Sequence, residues 1–342
     1  MKAKLLVTIL TLVLSTSLVS AQGASGVSKR GTTAAAFLAI PQGARALGMA
    51  GAFVATANDV SAMYWNPAGI ADLHGFNFAF DHTYWIADIK YEYLGASLNV
   101  GSFGTLGLNV TASNIGDMKV TTIDQQDGTG EIFGVTDVAV GLTYALKLTE
   151  DFSIGFNPKF IYQSIWKMSA KAFALDVGVK YRTPFEGITL GMSVTNFGTK
   201  MQMQGNNALV QYDPDPFNSG NNGRIPADLS TDEWDLPLNF QVGIAYDLPL
   251  GAIGKFTLAV DAMHPSDNYE SVNLGGEYAF DEVVFIRGGM RSLFMRDSEE
   301  GLTLGLGVRQ FLLGNMRLSL DYAYQNFARL KNAQKISLGI SF

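Results

Sequence analysis

The chain has 342 residues, of which 16% are charged and 47% hydrophobic, with 37 glycines, no cysteine and a formal net charge of -7. That balance offers no cationic surplus for nucleic-acid phosphates, too much apolar content for disorder, and no disulfide, thiolate zinc site or thiol nucleophile. A mean hydropathy of +0.14 is too polar for a bundle of spanning helices of about 20 apolar residues each, which leaves a soluble all-β protein or a membrane β-barrel.

Lys2 and Lys4 precede an apolar run from Leu5 to Leu14, and Val19-Ser20-Ala21 supplies small residues before Gln22. This layout predicts a secretory signal peptide over residues 1–21 and an exported mature chain. Residues 22–73 form the next unit. Over 31–73 the sequence does not alternate, and Gly43, Gly48 and Gly51 sit among alanines that permit close backbone packing. Asp59, followed by Ser61, is a candidate N-cap for a short turn running towards Trp65. Asn66 can cap a second turn, with Pro67 in the first helical position before Ala68 and Gly69. Placed on the periplasmic side ahead of the first strand, such a segment is expected to fold into a barrel lumen as a plug, the alternative being a cap outside it. Inward side chains such as Asp176, Asp247 or Arg287 are expected to satisfy its backbone.

From residue 74 to 342 apolar residues alternate with polar or small ones, as in Leu238, Phe240, Val242, Ile244 and Tyr246 against Asn239, Gln241, Gly243, Ala245 and Asp247. Period two puts one set on each face of a strand. Runs beginning near His74, Lys90, Phe103, Phe133, Phe152, Lys171, Gly187, Pro237, Lys255, Tyr269, Val283, Leu302, Met316 and Ala333 predict a 14-stranded antiparallel transmembrane barrel with Val242 facing lipid and Gln241 tolerant of charge. Short connections such as Gly101-Ser102, Thr149 to Asp151, Asp281-Glu282 and Leu313 to Asn315 alternate with longer ones at Ser113 to Ile132, Gly198 to Leu236 and Ser292 to Gly301. Short periplasmic turns and long outer loops would give that asymmetry. Tyr84, Trp85, Tyr91, Tyr162, Trp166 and Tyr269 fall near strand ends, where girdle aromatics belong. In the last strand Ile336, Leu338, Ile340 and Phe342 alternate with Lys335, Ser337, Gly339 and Ser341. A terminal strand ending in Phe resembles the signal read by the barrel-assembly machinery.

Signs of catalysis are sparse. His74, His82 and His264 are the three histidines, and no Gly-x-Ser-x-Gly elbow accompanies them, so no enzyme is expected. The loop holding Asp213, Asp215, Asp228, Asp232, Glu233 and Asp235 matches no EF-hand spacing, and neither a metal nor a cofactor is expected. Arg287, Arg291 and Arg309 fall on late strands, where pairing with acids such as Asp321 is expected over an anion-selective patch.

The stretches Thr33 to Ile40, Gly43 to Met49 and Asn58 to Ile70 resemble the N-terminal signature of the PorV/PorQ family, with Ala50 standing where a second glycine is usual. That family is similar in turn to the long-chain fatty-acid (FadL-like) transporters, whose luminal hatch carries a comparable Asn-Pro-Ala-Gly stretch. The resemblance implies a 14-stranded outer-membrane barrel, with the lipid bilayer and the assembly machinery as partners. It further implies a role in type IX protein secretion, with secreted cargo or secretion components docking on the lumen or the Gly198 to Leu236 loop. The alternative is a FadL-like channel for a hydrophobic ligand such as a fatty acid.

Overall fold

A computed structural model describes residues 29–342 apart from 219, 297 and 313–315. The signal-peptide expectation over 1–21 and the turn at Leu313 to Asn315 therefore lie outside the described residues. Fourteen long strands form one antiparallel sheet: β1 (Phe76–Tyr84), β2 (Lys90–Asn99), β3 (Thr105–Asn114), β4 (Val135–Lys147), β5 (Phe152–Ile165), β6 (Met168–Arg182), β7 (Ile188–Gly198), β8 (Asn239–Pro249), β9 (Lys255–Pro265), β10 (Ser271–Phe280), β11 (Val284–Leu293), β12 (Leu302–Phe311), β13 (Arg317–Asn326) and β14 (Asn332–Ser341). Each pairs with its neighbour in sequence, and β14 returns to β1 in the register Asn77↔Ser341 to Tyr84↔Gln334. Closure leaves no sheet edge, so every strand can bond to a partner on both sides, as hydrocarbon surroundings demand.

Alternation decides which face each residue takes. In β8, Phe240, Val242, Ile244 and Tyr246 are outward and exposed, while Gln241, Gly243 and Ala245 are buried inside. The same division gives outward Leu304, Leu306 and Val308 on β12 and outward Ile336 and Leu338 on β14. So much apolar surface is stable only against lipid. Phe342 ends the belt at one rim, its N–H donating to the Phe76 carbonyl at 2.9 Å and its ring 6.3 Å from that of Phe76.

The connections correct the expected asymmetry. Among the described residues one rim carries only short turns, including those joining β2 to β3, β4 to β5 and β10 to β11. The opposite rim carries the long 115–134 and 199–238 loops, but also the tight Trp166-Lys167 turn between β5 and β6. There the strands themselves run on past the barrel, so height comes from paired strand rather than loop. Tyr91 is also corrected: it is buried inside beside Phe37 and Ile161, not in a girdle. Tyr84 and Trp166 do stand outward and exposed.

The belt makes a graded prediction. Ile244→Arg, mid-strand and facing lipid, should cost about 2–4 kcal/mol, whereas Ile244→Val should cost about 1 kcal/mol or less. Reversible urea unfolding from liposomes measures both, and equal costs would mean that the outer face of β8 does not contact hydrocarbon.

Candidate functional site

The interior of the barrel is occupied by the chain that precedes it. Gly43, at φ +85° and tight against Ser61, opens helix α1 (Ala44–Gly48). Asp59 accepts from the Ser61 N–H at 2.9 Å and its hydroxyl at 2.5 Å, shaping the turn ahead of α2 (Ala62–Trp65). Asn66 then accepts from the Ala68 N–H at 3.2 Å while Pro67 starts a 3-10 turn through Asp72. Gly69 follows, pressed against the Ala57 carbonyl. Ala50 takes φ +58°, a left-handed conformation that glycine adopts without the steric cost, about 1–2 kcal/mol, that a Cβ brings.

This segment approaches the wall closely, and the wall has glycine where it does. A Cβ built on Gly155 of β5 would lie 2.3 Å from the Pro67 carbonyl carbon, on Gly178 of β6 2.0 Å from Asn66 Oδ1, and on Gly275 of β10 2.2 Å from the Met49 oxygen. Gly48 and Gly305 of β12 approach with no side chain on either. Gly51 is closed in by Arg291 and Trp65.

The backbone groups of the segment find partners on the wall, though not those the sequence suggested. Asp261 on β9 accepts from the Phe53 and Val54 N–H groups at 2.7 and 2.9 Å. Lys180 on β6 donates to the Ala57 carbonyl at 2.7 Å, and Lys335 on β14 to that of Pro41. Asn66 reaches outward to the Val179 carbonyl at 3.0 Å. The expected partners are engaged elsewhere: Asp176 with Asn157 and Lys159, Asp247 with Thr257 and Lys255, Arg287 with Glu277 and Asp321. Gln241 is corrected too, since it is buried and donates to Asp261 at 2.7 Å and the Gly51 carbonyl at 3.2 Å, so a charge there would not be tolerated. The keystone is Arg45 of α1. It grips Glu277 of β10 through two bonds of 2.9 and 3.0 Å, and holds Asn58 and Asp59 of its own segment at 2.5 and 3.2 Å.

A cavity lies on each side of the segment. Towards the long-loop rim its Leu38, Ala39, Tyr64 and Trp65 floor a space of about 380 Å³ that Met263, Met295, Phe327 and Leu330 enclose on the apolar side and Lys159 and Arg291 on the polar side. Towards the short-turn rim Arg45, Asn58, Asp59 and Asp72 roof a polar space of about 610 Å³. The two ends of the segment lie at opposite rims. Thr33 bonds Asp267 and the Ala34 N–H donates to the Asp235 carbonyl at the long-loop rim, whereas Leu73 leads into β1 at the other.

Other predicted residues are set apart from this centre. His82 faces outward and bonds Glu92 at 2.7 Å, and His264 bonds Glu270 at 3.1 Å. The acidic loop folds as a hairpin of Leu209–Tyr212 with Ile225–Asp228. Among the described residues no three His, Asp or Glu side chains are grouped to hold a metal. Sequence reasoning passed over Arg45, Lys180, Asp261 and Lys335. For Lys180 and Asp261 a charged residue at an inward, apolar-flanked strand position was the available signal.

Comparison with solved structures places the architecture: this is a closed 14-stranded barrel of the FadL type. A Pseudomonas aeruginosa FadL homologue is similar at 12% identity, with a TM-score of 0.50 over 85% of this chain and 95% of that one. The toluene transporters TbuX of Ralstonia pickettii and TodX of Pseudomonas putida each align with a TM-score of 0.53, at 11% and 10% identity over 87% and 88% of this chain and 97% of theirs. The chain itself belongs to the uncharacterised protein family UPF0164, whose model matches residues 13–342. No curated protein matches it.

Two outcomes follow from the contacts. Gly178→Val should expel Asn66 while leaving the barrel closed, because the new side chain suits a strand but not the 2.0 Å approach. Protease cleavage within 43–73, with heat-modifiable migration retained, is the expected result. Asp72 supplies the second. Burial opposes its charge, but Lys180, Lys147 and Arg182 outweigh this and hold its carboxyl down at about 2. A lowered carboxyl stabilises fully above its ordinary value near 4 and ceases to do so as pH falls through about 2. Trp65 fluorescence, with the other tryptophans changed to Phe, should therefore shift with a midpoint near 2, and Asp72→Asn should abolish that transition.

Proposed function

We propose that this protein is an outer-membrane channel for hydrophobic small molecules, with the luminal segment as a plug between an outer binding cavity and a polar periplasmic vestibule. The observation that carries the reading is the outer cavity: an amphipathic space inside a barrel, floored by Leu38, Tyr64 and Trp65 of the segment itself. A ligand seated there touches the element that blocks its path, so binding energy can bear on the obstruction. The FadL homologue and the toluene transporters to which the fold is similar support the reading, and so does the resemblance of the Asn66 to Gly69 stretch. The secretion reading, with cargo docking at the outer rim, rests on the N-terminal resemblance and on the 199–238 loop, and no feature of the lumen calls for a protein partner.

The test joins binding to passage. A saturable change in Trp65 fluorescence on adding laurate or toluene is expected, and Leu38→Arg should abolish it by placing a charge in the cavity floor. In planar bilayers the parent should be nearly silent, and a variant lacking residues 29–73 should conduct steadily, since the strands bond to one another without the segment. No fluorescence response to either compound would remove the binding cavity from the proposal, and a deletion variant as silent as the parent would remove the plug.

A further inference from the structure

At the short-turn rim the wall formed by β12, β13 and β14 has a cationic face that the luminal network does not use. Arg309 of β12 stands directly across from Ser319 of β13, and Arg317 of β13 directly across from Ser341 of β14. Residues 317 and 319 share the inward face of β13, so two guanidinium groups and two hydroxyls form a two-by-two patch on one wall of the 610 Å³ vestibule.

Both arginines are held in place without being neutralised. Arg309 lies over the Phe285 ring at 4.7 Å and Arg317 over the Phe311 ring at 4.8 Å, contacts that fix the guanidinium planes but carry no compensating charge. Among the described residues neither forms an ion pair, and Arg317 Nε is buried with no hydrogen-bond partner. The nearest acid on the same face, Asp321, is already bonded to Arg287 at 2.6 Å. Among the described residues other cations deep in the wall are engaged: Arg287 pairs with Glu277, Arg291 with Glu300, Lys159 with Asp176 and Lys180 with Asp72, and Lys335 bonds the Pro41 carbonyl and Gln42.

From this pattern we infer that Arg309, Arg317, Ser319 and Ser341 form a binding site for a small oxyanion, a carboxylate or phosphate, at the periplasmic mouth. Planar guanidinium groups with adjacent hydroxyl donors match the lone pairs of such groups. The vestibule admits two sources: a free anion entering from the periplasm, or the anionic head of an amphiphile. The site stands whether or not the barrel passes hydrophobic molecules.

Isothermal titration of the detergent-solubilised protein at low ionic strength distinguishes the sources, using inorganic phosphate, acetate and decanoate as probes. Saturable binding of phosphate or acetate at about millimolar concentration indicates a free-anion site. Binding of decanoate alone indicates an amphiphile head. In either case Arg309→Gln and Arg317→Gln should each weaken binding about tenfold or more, and Ser319→Ala by a smaller factor. Arg182→Gln, at the same rim but paired with Asp72, should leave it unchanged. Heat-modifiable migration establishes that each variant has folded. No saturable heat with any probe, or binding that survives loss of both arginines in a folded barrel, overturns the inference.

Discussion

The interior depends on one constraint: peptide groups of a non-repetitive segment must reach partners on a wall that has no backbone bonds to spare. In a closed barrel every strand amide is taken by its neighbours, so only side chains can answer, and only where the two backbones come close. Glycine at Gly155 and Gly275 makes that approach possible, and Gly178 leaves room for the Asn66 side chain. Each such glycine weakens its strand by about 0.5–1 kcal/mol relative to alanine. The return is a segment held near enough for Asp261 to accept two amide protons and for Lys180 and Lys335 to reach carbonyls. An unmade bond in that interior costs about 1–3 kcal/mol, so the glycines win the exchange.

Charge completes what close approach begins. Arg45, Glu277, Arg287 and Asp321 form a row of alternating sign from α1 across β10, β11 and β13. Buried pairs of this kind contribute little net stability compared with well-packed apolar residues, but losing one member strands the other at a cost of about 3–5 kcal/mol. What the row supplies is position. Arg45 reaches the wall and its own 58–59 turn together, so α1 is fixed in rotation as well as in depth.

Strand number and strand starts were legible because a barrel wall repeats one rule, outward apolar and inward small or polar, through every strand. All fourteen starts were placed within three residues of those observed. Loop asymmetry was legible only in part. A strand that outruns the barrel, as β5 and β6 do, has the same alternation above the rim as below it. The cap at Asn66 could be read because capping is local chemistry, whereas the helix after Asp59 starts from Ser61 and Asp59 bonds Ser61 ahead of it. The partners of the segment could not, since Lys180, Asp261 and Lys335 are brought to it only by closure of the sheet, and one sequence carries no record of which inward position faces which part of the lumen. Gln241 shows the difficulty in one residue: its inward face was evident, and the segment packed over it was not.

The path of the segment limits how the lumen can open. A flap hinged at one rim could swing into the periplasm as a unit, but this segment is attached at both rims. Ala34 and Ala35 bond to Asp235 and Gln163 among the long-loop strands, and Phe37 and Leu38 pack with Met201 and Leu236 beneath the 199–238 loop. Leu73 runs straight into β1 at the opposite rim. Withdrawal towards the periplasm would pull Phe37 and Tyr64 past the glycine-lined waist, where a single added Cβ already collides. Withdrawal outward would strip Asp72 from Lys180, Lys147 and Arg182. Under the proposed channel reading, a passage that keeps both attachments would form beside the segment, by a local shift of α2 and Trp65. This element faces the outer cavity directly and is joined to the wall by fewer charged contacts than α1.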